Sequence, residues 1–318
     1  MFELRDEGNV GDFLGIRIKK QGDLYLLTQK GLTEKVIKAA YMEECNAKPT
    51  PVTEEPLGKD ATGDPFTEDW KYSEIVGMLL YLANNSRPDI AYAVHQCARF
   101  THDPRQSHAE AVKRILRYLQ GTKDKGILLQ PDGSKGVDCF VDADFAGLWK
   151  SEDAQDPVSV KSRTGYLITF LGCPLSWCSK LQTQIALSTM EAEYIALSTA
   201  LREVIGICEI LKEIQALVLS NSKTHCNYTF FAKSFGKDRL KPTIVHEDNN
   251  ACLQFAMIPK MTPRTKHIAI PYHFFRKYIV DNEVLVKPIG TDDQLADQFT
   301  KGLGRIKFER AQRKLMGW

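Results

Sequence analysis

Between residues 137 and 145 the chain reads Val-Asp-Cys-Phe-Val-Asp-Ala-Asp-Phe, and this stretch limits what the rest can become. Strand alternation puts Asp142 and Asp144 on one face and Val141, Ala143 and Phe145 on the other. Acids are disfavoured in strands. Two on one face of an apolar strand are either a solvated face or part of a site. Three further acids fall on separate later elements. Glu193 lies in a long helix predicted over about 189–216. Asp248 lies where an apolar strand (243–246) gives way to a helix (about 249–258), and Asp297 inside a final helix predicted from about 292.

Each position has a plainer reading when taken alone. Glu191 and Glu193 are about 200° apart around a helix and cannot serve one site. Ser188 and Glu191 fit a capping box, in which the Glu reaches back to the cap residue's N–H. Glu193 shares a face with Ala196, Leu197 and Ala200 and is the better ligand candidate, because a buried acid needs a partner such as a metal. Asp248 reads as a helix N-cap or as a ligand. Asp297 reads as an exposed mid-helix acid or as a ligand. In the order strand, helix, strand end, helix, the four supply what a metal-dependent phosphodiesterase needs: several carboxylates around two hard cations about 3.5–4 Å apart. Without cations, carboxylates that close repel one another.

The 318 residues suffice for about two domains of ~150 residues each. The net charge of +2 argues nothing for the whole chain. Its distribution does: Lys260, Arg264, Lys266, Arg276, Lys277, Lys301, Arg305, Lys307, Arg310, Arg313 and Lys314 make the last third basic. That is the footprint of a phosphate-bearing partner or a set of solvated helix faces. The 8 Cys include no C-x-x-C pair and no common zinc spacing, so reduced thiols are expected. No signal peptide shows at Met1–Asp6 and no apolar run reaches membrane length, so an intracellular protein off the membrane is expected.

Strands are predicted at 13–18 and 24–28 around a Gln21-Gly22-Asp23 turn, then a helix at 29–42. Residues 45–70 read as a long irregular loop, and helices return at 72–84, 88–100 and 106–120. The turn-rich Pro131-Asp132-Gly133-Ser134 marks a boundary, giving domains 1–137 and 138–318. Beyond it come strands at 137–145, 164–171 and 174–179, split by Gly172-Cys173-Pro174. Then follow the long helix, an irregular loop at 219–241, a strand at 243–246, helices near 249–258 and 267–280, a strand at 284–289 and the last helix. This succession describes an α/β domain with a mixed sheet.

Several motifs recur together in one known family. They are Val141-Asp142-Ala143-Asp144-Phe145-Ala146-Gly147, Ser162-Arg163-Thr164-Gly165-Tyr166, Trp177-Cys178-Ser179-Lys180-Leu181-Gln182-Thr183 and Ala186-Leu187-Ser188-Thr189-Met190-Glu191-Ala192-Glu193-Tyr194. Further on come Glu247-Asp248-Asn249-Asn250-Ala251, Lys266-His267-Ile268 and Gln294-Leu295-Ala296-Asp297-Gln298-Phe299-Thr300-Lys301. The chain resembles the ribonuclease H region of copia-type LTR-retrotransposon Pol polyproteins. Upstream, Phe13-Leu14-Gly15-Ile16 resembles the segment just after a reverse-transcriptase palm, and the run Tyr72–Leu82, Arg87-Pro88-Asp89-Ile90-Ala91-Tyr92-Ala93-Val94 and Arg114–Thr122 resemble the thumb and connection that follow it. The resemblance implies a ribonuclease H-like mixed sheet with flanking helices, preceded by a partial α+β thumb and connection region. It implies catalytic, metal-binding acids at Asp142, Glu193, Asp248 and Asp297. It implies two Mg2+ ions, replaceable by Mn2+, and hydrolysis of the RNA strand of an RNA–DNA hybrid. The expected partners are that hybrid and the remaining Pol polyprotein, and the expected location is the cytoplasm or nucleus.

The polymerase signature Tyr-x-Asp-Asp is absent from these residues, so no polymerase activity is expected of them. The loop before Asp297 (Gly290-Thr291-Asp292-Asp293) lacks the His that many cellular ribonucleases H place there. His267 and His273 read as structural residues. The rival reading is an inactive transposon remnant that binds nucleic acid without cutting it. An integrase-like nuclease fits less well, because that family usually uses three acids and carries separate zinc and DNA-binding segments, which are not found in these residues.

Overall fold

The computed structural model describes residues 11–149, 156–220, 241–257 and 273–318. Outside them lie Lys260, Arg264, His267, the Lys266-His267-Ile268 motif and nearly all of the 219–241 loop. By contacts the chain divides into two units, Met1–Val52 with Lys59–Gln130 and Gln312–Trp318, and Thr53–Gly58 with Pro131–Ala311.

The first unit carries a four-stranded antiparallel sheet in the order β1 (Asp12–Phe13), β2 (Ile16–Gln21), β3 (Leu24–Thr28), β4 (Ile127–Leu129). The strand expected over 13–18 is interrupted. Leu14 and Gly15 both have positive φ, 50° and 75°, and reverse the chain so that Phe13 pairs with Ile16. A two-residue reversal matched to strand twist needs positive φ at both central positions. The next reversal falls in the expected turn, with Gln21 opposite Leu24.

Four helices follow: α1 (Lys30–Ala39), α2 (Tyr72–Asn85), α3 (Ala91–Ala98), entered through a 3-10 turn at Pro88–Ile90, and α4 (Gln106–Gly121). Val36, Leu79, Leu82, Val94, Val112 and Leu116 are fully buried, the apolar faces that periodicity assigns to such helices. Among them lies Arg87, 1% exposed. Its Nε and Nη2 donate to Asp89 at 2.9 and 2.8 Å, its Nη1 to the Thr122 carbonyl at 3.1 Å, and the Tyr118 hydroxyl donates to Asp89 at 2.5 Å. From the other end of the chain, Gln312 donates to the Tyr118 hydroxyl, and Trp318 Nε1 donates to the Gly126 carbonyl at 2.6 Å.

The second unit is built on a five-stranded mixed sheet. Central β5 (Val137–Asp144) pairs antiparallel with β6 (Arg163–Phe170), and β6 antiparallel with β7 (Cys173–Leu181). On its other side β5 is parallel to β8 (Thr243–Glu247), and β8 to β9 (Val284–Pro288), giving the order β7-β6-β5-β8-β9. The β6–β7 reversal is at Leu171-Gly172, both at positive φ, so Cys173 and Pro174 are strand residues and not part of the break. Pro174 is tolerated because β7 is an edge strand and the pairing shifts register there.

The long helix α5 (Thr189–Ser220) lies on the sheet through Ala192, Ala196, Leu197, Ala200, Leu201 and Val204, against Val137, Cys139, Val141 and Val245. Small side chains along that face let helix and sheet approach closely. Then come α6 (Asn250–Met257) and α7 (Arg276–Val280), the latter after a 3-10 turn at His273–Phe275. The single helix expected from about 292 is in fact three pieces: a 3-10 turn (Thr291–Asp293), one turn of helix α8 (Asp297–Thr300), and α9 (Arg305–Met316). Between α8 and α9, a Cβ on Gly302 would stand 2.1 Å from the Thr53 carbonyl oxygen, so the chain passes there only as glycine. Among the described residues no helix is long and apolar enough to cross a membrane.

Candidate metal centre

Asp142 sits near the end of the central strand, where both faces are covered. It is 3% exposed, as buried as its neighbours Val141 and Ala143. Across the ladder it faces Gly165. A Cβ there would come within 2.6 Å of Thr300 and 2.9 Å of Phe299 side-chain atoms. The missing side chain lets α8 settle on the sheet beside Asp142, whose Oδ2 accepts a hydrogen bond from the Thr300 hydroxyl. Ser179 fastens the same turn by donating to the Phe299 carbonyl at 2.5 Å.

Glu193 projects from the first turns of α5. Ser188 Oγ accepts the Glu191 N–H at 3.2 Å, and Glu191 Oε2 accepts the Leu187 N–H at 2.9 Å. Glu191 is thereby engaged at the helix start, reaching one residue further back than the expected box. Glu193 is 4% exposed, and its Oε2 has no hydrogen-bond partner among the described residues. Asp248 follows β8. It does not cap α6: Asn249 Oδ1 accepts the Cys252 N–H at 3.0 Å and takes that role. Asp248 is left to face the site. One oxygen each from Asp142, Glu193 and Asp248 lie within 4.8 Å of one another, the group among the described residues that could hold a metal ion.

Asp297 is placed differently. It is the first residue of the single-turn α8, not a mid-helix residue, and is 1% exposed. Its Oδ1 lies 2.9 Å from Lys301 Nζ and its Oδ2 2.7 Å from Lys307 Nζ. Lys301 Nζ also lies 3.7 Å from Asp142 Oδ2 and so links Asp297 to the cluster.

Sequence reasoning passed over three further residues. Glu247 is wholly buried; its Oε1 accepts the Asn249 N–H at 3.0 Å and its Oε2 has no hydrogen-bond partner among the described residues. The signal was present, since Glu247 continues the buried parity of Thr243 and Val245 along β8. Gln294 donates to the Val141 carbonyl at 2.8 Å and the His246 carbonyl at 3.3 Å, tying the segment before α8 to two strand ends. Lys301 belongs to the basic set and to the last motif, but nothing in its spacing assigns it to the acid cluster.

The electrostatics follow from burial. Desolvation raises the Glu193 carboxyl to about 11, with Glu247, Asp142 and Asp248 pushing the same way. Glu247 rises to about 8, again by burial first, although the Asn249 N–H opposes it. Burial raises Asp142 to about 6, with Lys301 opposing and Asp297 adding. Asp144, half-buried, is raised by desolvation against Lys301 and Arg163. Burial disfavours the Lys301 ammonium, but Asp142 and Asp297 outweigh it and hold its pKa above the ordinary lysine range. Crowded carboxylates in low dielectric thus favour protons or cations.

Much of the described basic charge is paired internally. Arg305 meets Glu309 at 2.7 Å, Arg310 meets Asp293 at 2.8 Å, and Arg276 donates to the Phe255 carbonyl at 3.1 Å. The seven described cysteines are all free thiols.

No protein-family model matches the chain. It is 32% identical over 314 residues, 99% of its length, to the retrovirus-related Pol polyprotein from transposon RE1 of Arabidopsis thaliana. It is 35% identical over 320 residues, 97% of its length, to the corresponding polyprotein from transposon TNT 1-94 of Nicotiana tabacum. The chain is a homologue of transposon Pol polyproteins. It spans 19% and 22% of those two relatives, about a fifth of their length. It is also 33% identical over 203 residues to an uncharacterized mitochondrial protein of Arabidopsis thaliana, covering 64% of this chain and 80% of that one.

Proposed function

We propose that the second unit, Pro131–Ala311 with Thr53–Gly58, forms the ribonuclease H part of a copia-type retrotransposon Pol polyprotein, and that it hydrolyses the RNA strand of an RNA–DNA hybrid. The preceding unit is read as the thumb and connection segment of its reverse transcriptase. The observation that carries this reading is the meeting of Asp142, Glu193 and Asp248, from three separate elements, around a buried Glu193 oxygen without a hydrogen-bond partner among the described residues. The mixed sheet with its long covering helix supports it, as does homology to Pol polyproteins.

The donor set fits a divalent cation. All three groups are carboxylates, which favour a hard ion such as Mg2+, with Mn2+ as a substitute. A bound ion supplies a water of lowered pKa and neutralises charge at the phosphate. Asp142, Glu193 and Asp248 would hold it. Asn249 caps α6 and so fixes where Asp248 points, and Gln294 holds the ends of β5 and β8 together. Thr300 orients Asp142 from the opposite face. The substrate would be recognised by groove shape and 2′-hydroxyls, not by sequence. No polymerisation is expected of these residues, because the Tyr-x-Asp-Asp signature is absent from them. The partners would be the hybrid and the rest of the polyprotein, wherever in cytoplasm or nucleus reverse transcription runs.

The test is cleavage of a labelled RNA–DNA hybrid by the whole chain with Mg2+ or Mn2+, beside Asp248→Asn. Cutting of the RNA strand alone is expected, reduced by at least about 100-fold in the variant, the size typical of losing a charge-stabilising group. A folded chain that binds the hybrid without cutting it would establish the inactive remnant instead.

A further inference from the structure

Four acids were expected to gather around two ions, yet the structure gathers three. The fourth, Asp297, has both oxygens within ion-pair distance of an ammonium, Oδ1 with Lys301 at 2.9 Å and Oδ2 with Lys307 at 2.7 Å, although Oδ1 has no aligned hydrogen bond among the described residues. On the side of Asp142 that faces Asp297, Oδ2 already accepts the Thr300 hydroxyl and lies 3.7 Å from Lys301 Nζ. A second divalent ion shared by Asp142 and Asp297 would need the place where that ammonium lies. The residues present fit one ion and do not fit two.

Resting on the nuclease reading above, we infer that Lys301 serves as a built-in second cation, so that the centre takes a single divalent ion. The Lys301 side chain is 40% exposed while Asp142 and Asp297 are buried, so it reaches the cluster from the solvent side. In the reaction, water's oxygen bonds to phosphorus as the P–O3′ bond breaks. One fragment keeps a 5′-phosphate, and the proton lost by the water balances the one gained by the 3′-oxygen. Lys301 neutralises the phosphate oxygens throughout and keeps its own proton. Short helix α8 and the glycine at 165 fix this arrangement, because α8 sits against the sheet directly opposite Asp142.

The experiment counts Mn2+ bound to the whole chain by electron paramagnetic resonance, with and without a saturating RNA–DNA hybrid of hydrolysis-resistant linkages. The wild type is expected to bind one ion in both conditions. Lys301→Met, which keeps the stem and removes the charge, is expected to gain a second ion, with second-site affinity rising at least about tenfold. Lys301→Met with Asp297→Asn removes both members of the pair and should return the count to one. It also controls for misfolding of the single variant. Two ions of similar affinity in the wild type, or an unchanged count of one in Lys301→Met, would overturn the assignment while leaving the nuclease reading intact. No ion in the wild type would sink the metal centre itself.

Discussion

In the first unit Arg87 and Asp89 are buried together, and the guanidinium, the carboxylate, the Tyr118 hydroxyl and Thr122 satisfy one another. In the second unit Asp142, Glu193 and Glu247 are buried as deeply, but apart from Lys301 beside Asp142 the charged groups next to them carry the same sign, and two of their oxygens have no hydrogen-bond partner among the described residues. The difference separates two uses of buried charge. A cluster that closes on itself holds the fold and wants nothing further. A cluster that does not close is costly to fold and stays that way only where something from outside completes it. The Arg87-Pro88-Asp89 motif is therefore read as architecture and the Asp142 cluster as a site, although both are polar islands in apolar surroundings.

The sharpest way to break this contrast is to remove one charge from each cluster. Arg87→Ala strands Asp89 in the core and is expected to cost about 3–5 kcal/mol, the range for a buried pair that loses one partner. Urea denaturation should show this as a lowered midpoint. Glu193→Gln should show no such cost without added metal. Burial and the neighbouring acids hold the Glu193 carboxyl protonated, its value raised to about 11, and Gln is neutral and of similar shape, so melting in chelator is unchanged, while Mn2+ binding and hybrid cleavage are lost. A Glu193→Gln protein that melts as early as Arg87→Ala would mean the two clusters are alike.

The next effect is metal-dependent stability. An ion at one hundred times its dissociation constant adds about 2.7 kcal/mol to the folded state, and the rise in melting temperature should vanish in Asp248→Asn. Its pH dependence has a definite sign. Asp142, Glu247 and Glu193 have folded-state values raised to about 6, about 8 and about 11. Their protonated forms favour the fold. That contribution is complete below the unfolded carboxyl range near pH 4 and is lost as pH climbs through those folded values. In chelator, melting temperature should therefore fall between roughly pH 5 and pH 8, and the gain from Mn2+ should widen over the same interval. A gain that shrinks with rising pH would argue against carboxylate ligation.

Smaller effects test the supports. Gly165→Ala forces Thr300 and Phe299 off the sheet and should cost about 1–3 kcal/mol as an overpacked contact, lowering cleavage along with stability. Asn249→Ala removes the cap of α6 at about 1 kcal/mol and should weaken Mn2+ binding by freeing the turn that carries Asp248. Unchanged metal affinity in Asn249→Ala would show that Asp248 is positioned by something else.

How far the sequence could be read depended on which interactions were local. Alternation along 137–145 and the 3.6-residue face of α5 are local, and they put Asp142 and Glu193 on identifiable faces. Which face of β5 was covered was not local, because it depends on α8 arriving from 150 residues away through the gap at Gly165. Asp248 and Asn249 were equally good caps by residue type, and only the bond to Cys252 chose between them. The last helix was overextended because its apolar spacing survives a break. The reason for the break, a glycine passing the Thr53 carbonyl, lies far off in sequence. Glu247 was readable by strand parity, yet an acid beside a candidate ligand drew attention to the candidate.

The partition of the chain into units is not a partition of its sequence. Thr53–Gly58 belongs with the second unit and Gln312–Trp318 with the first, so each borrows a segment from the other's stretch of chain. During synthesis the first unit cannot complete the surroundings of Tyr118 until Gln312 has left the ribosome. A cut made at the turn near Pro131 would separate each half from a segment that packs with it. Proteolysis or a frameshift anywhere between residues 59 and 311 is then felt on both sides of the break.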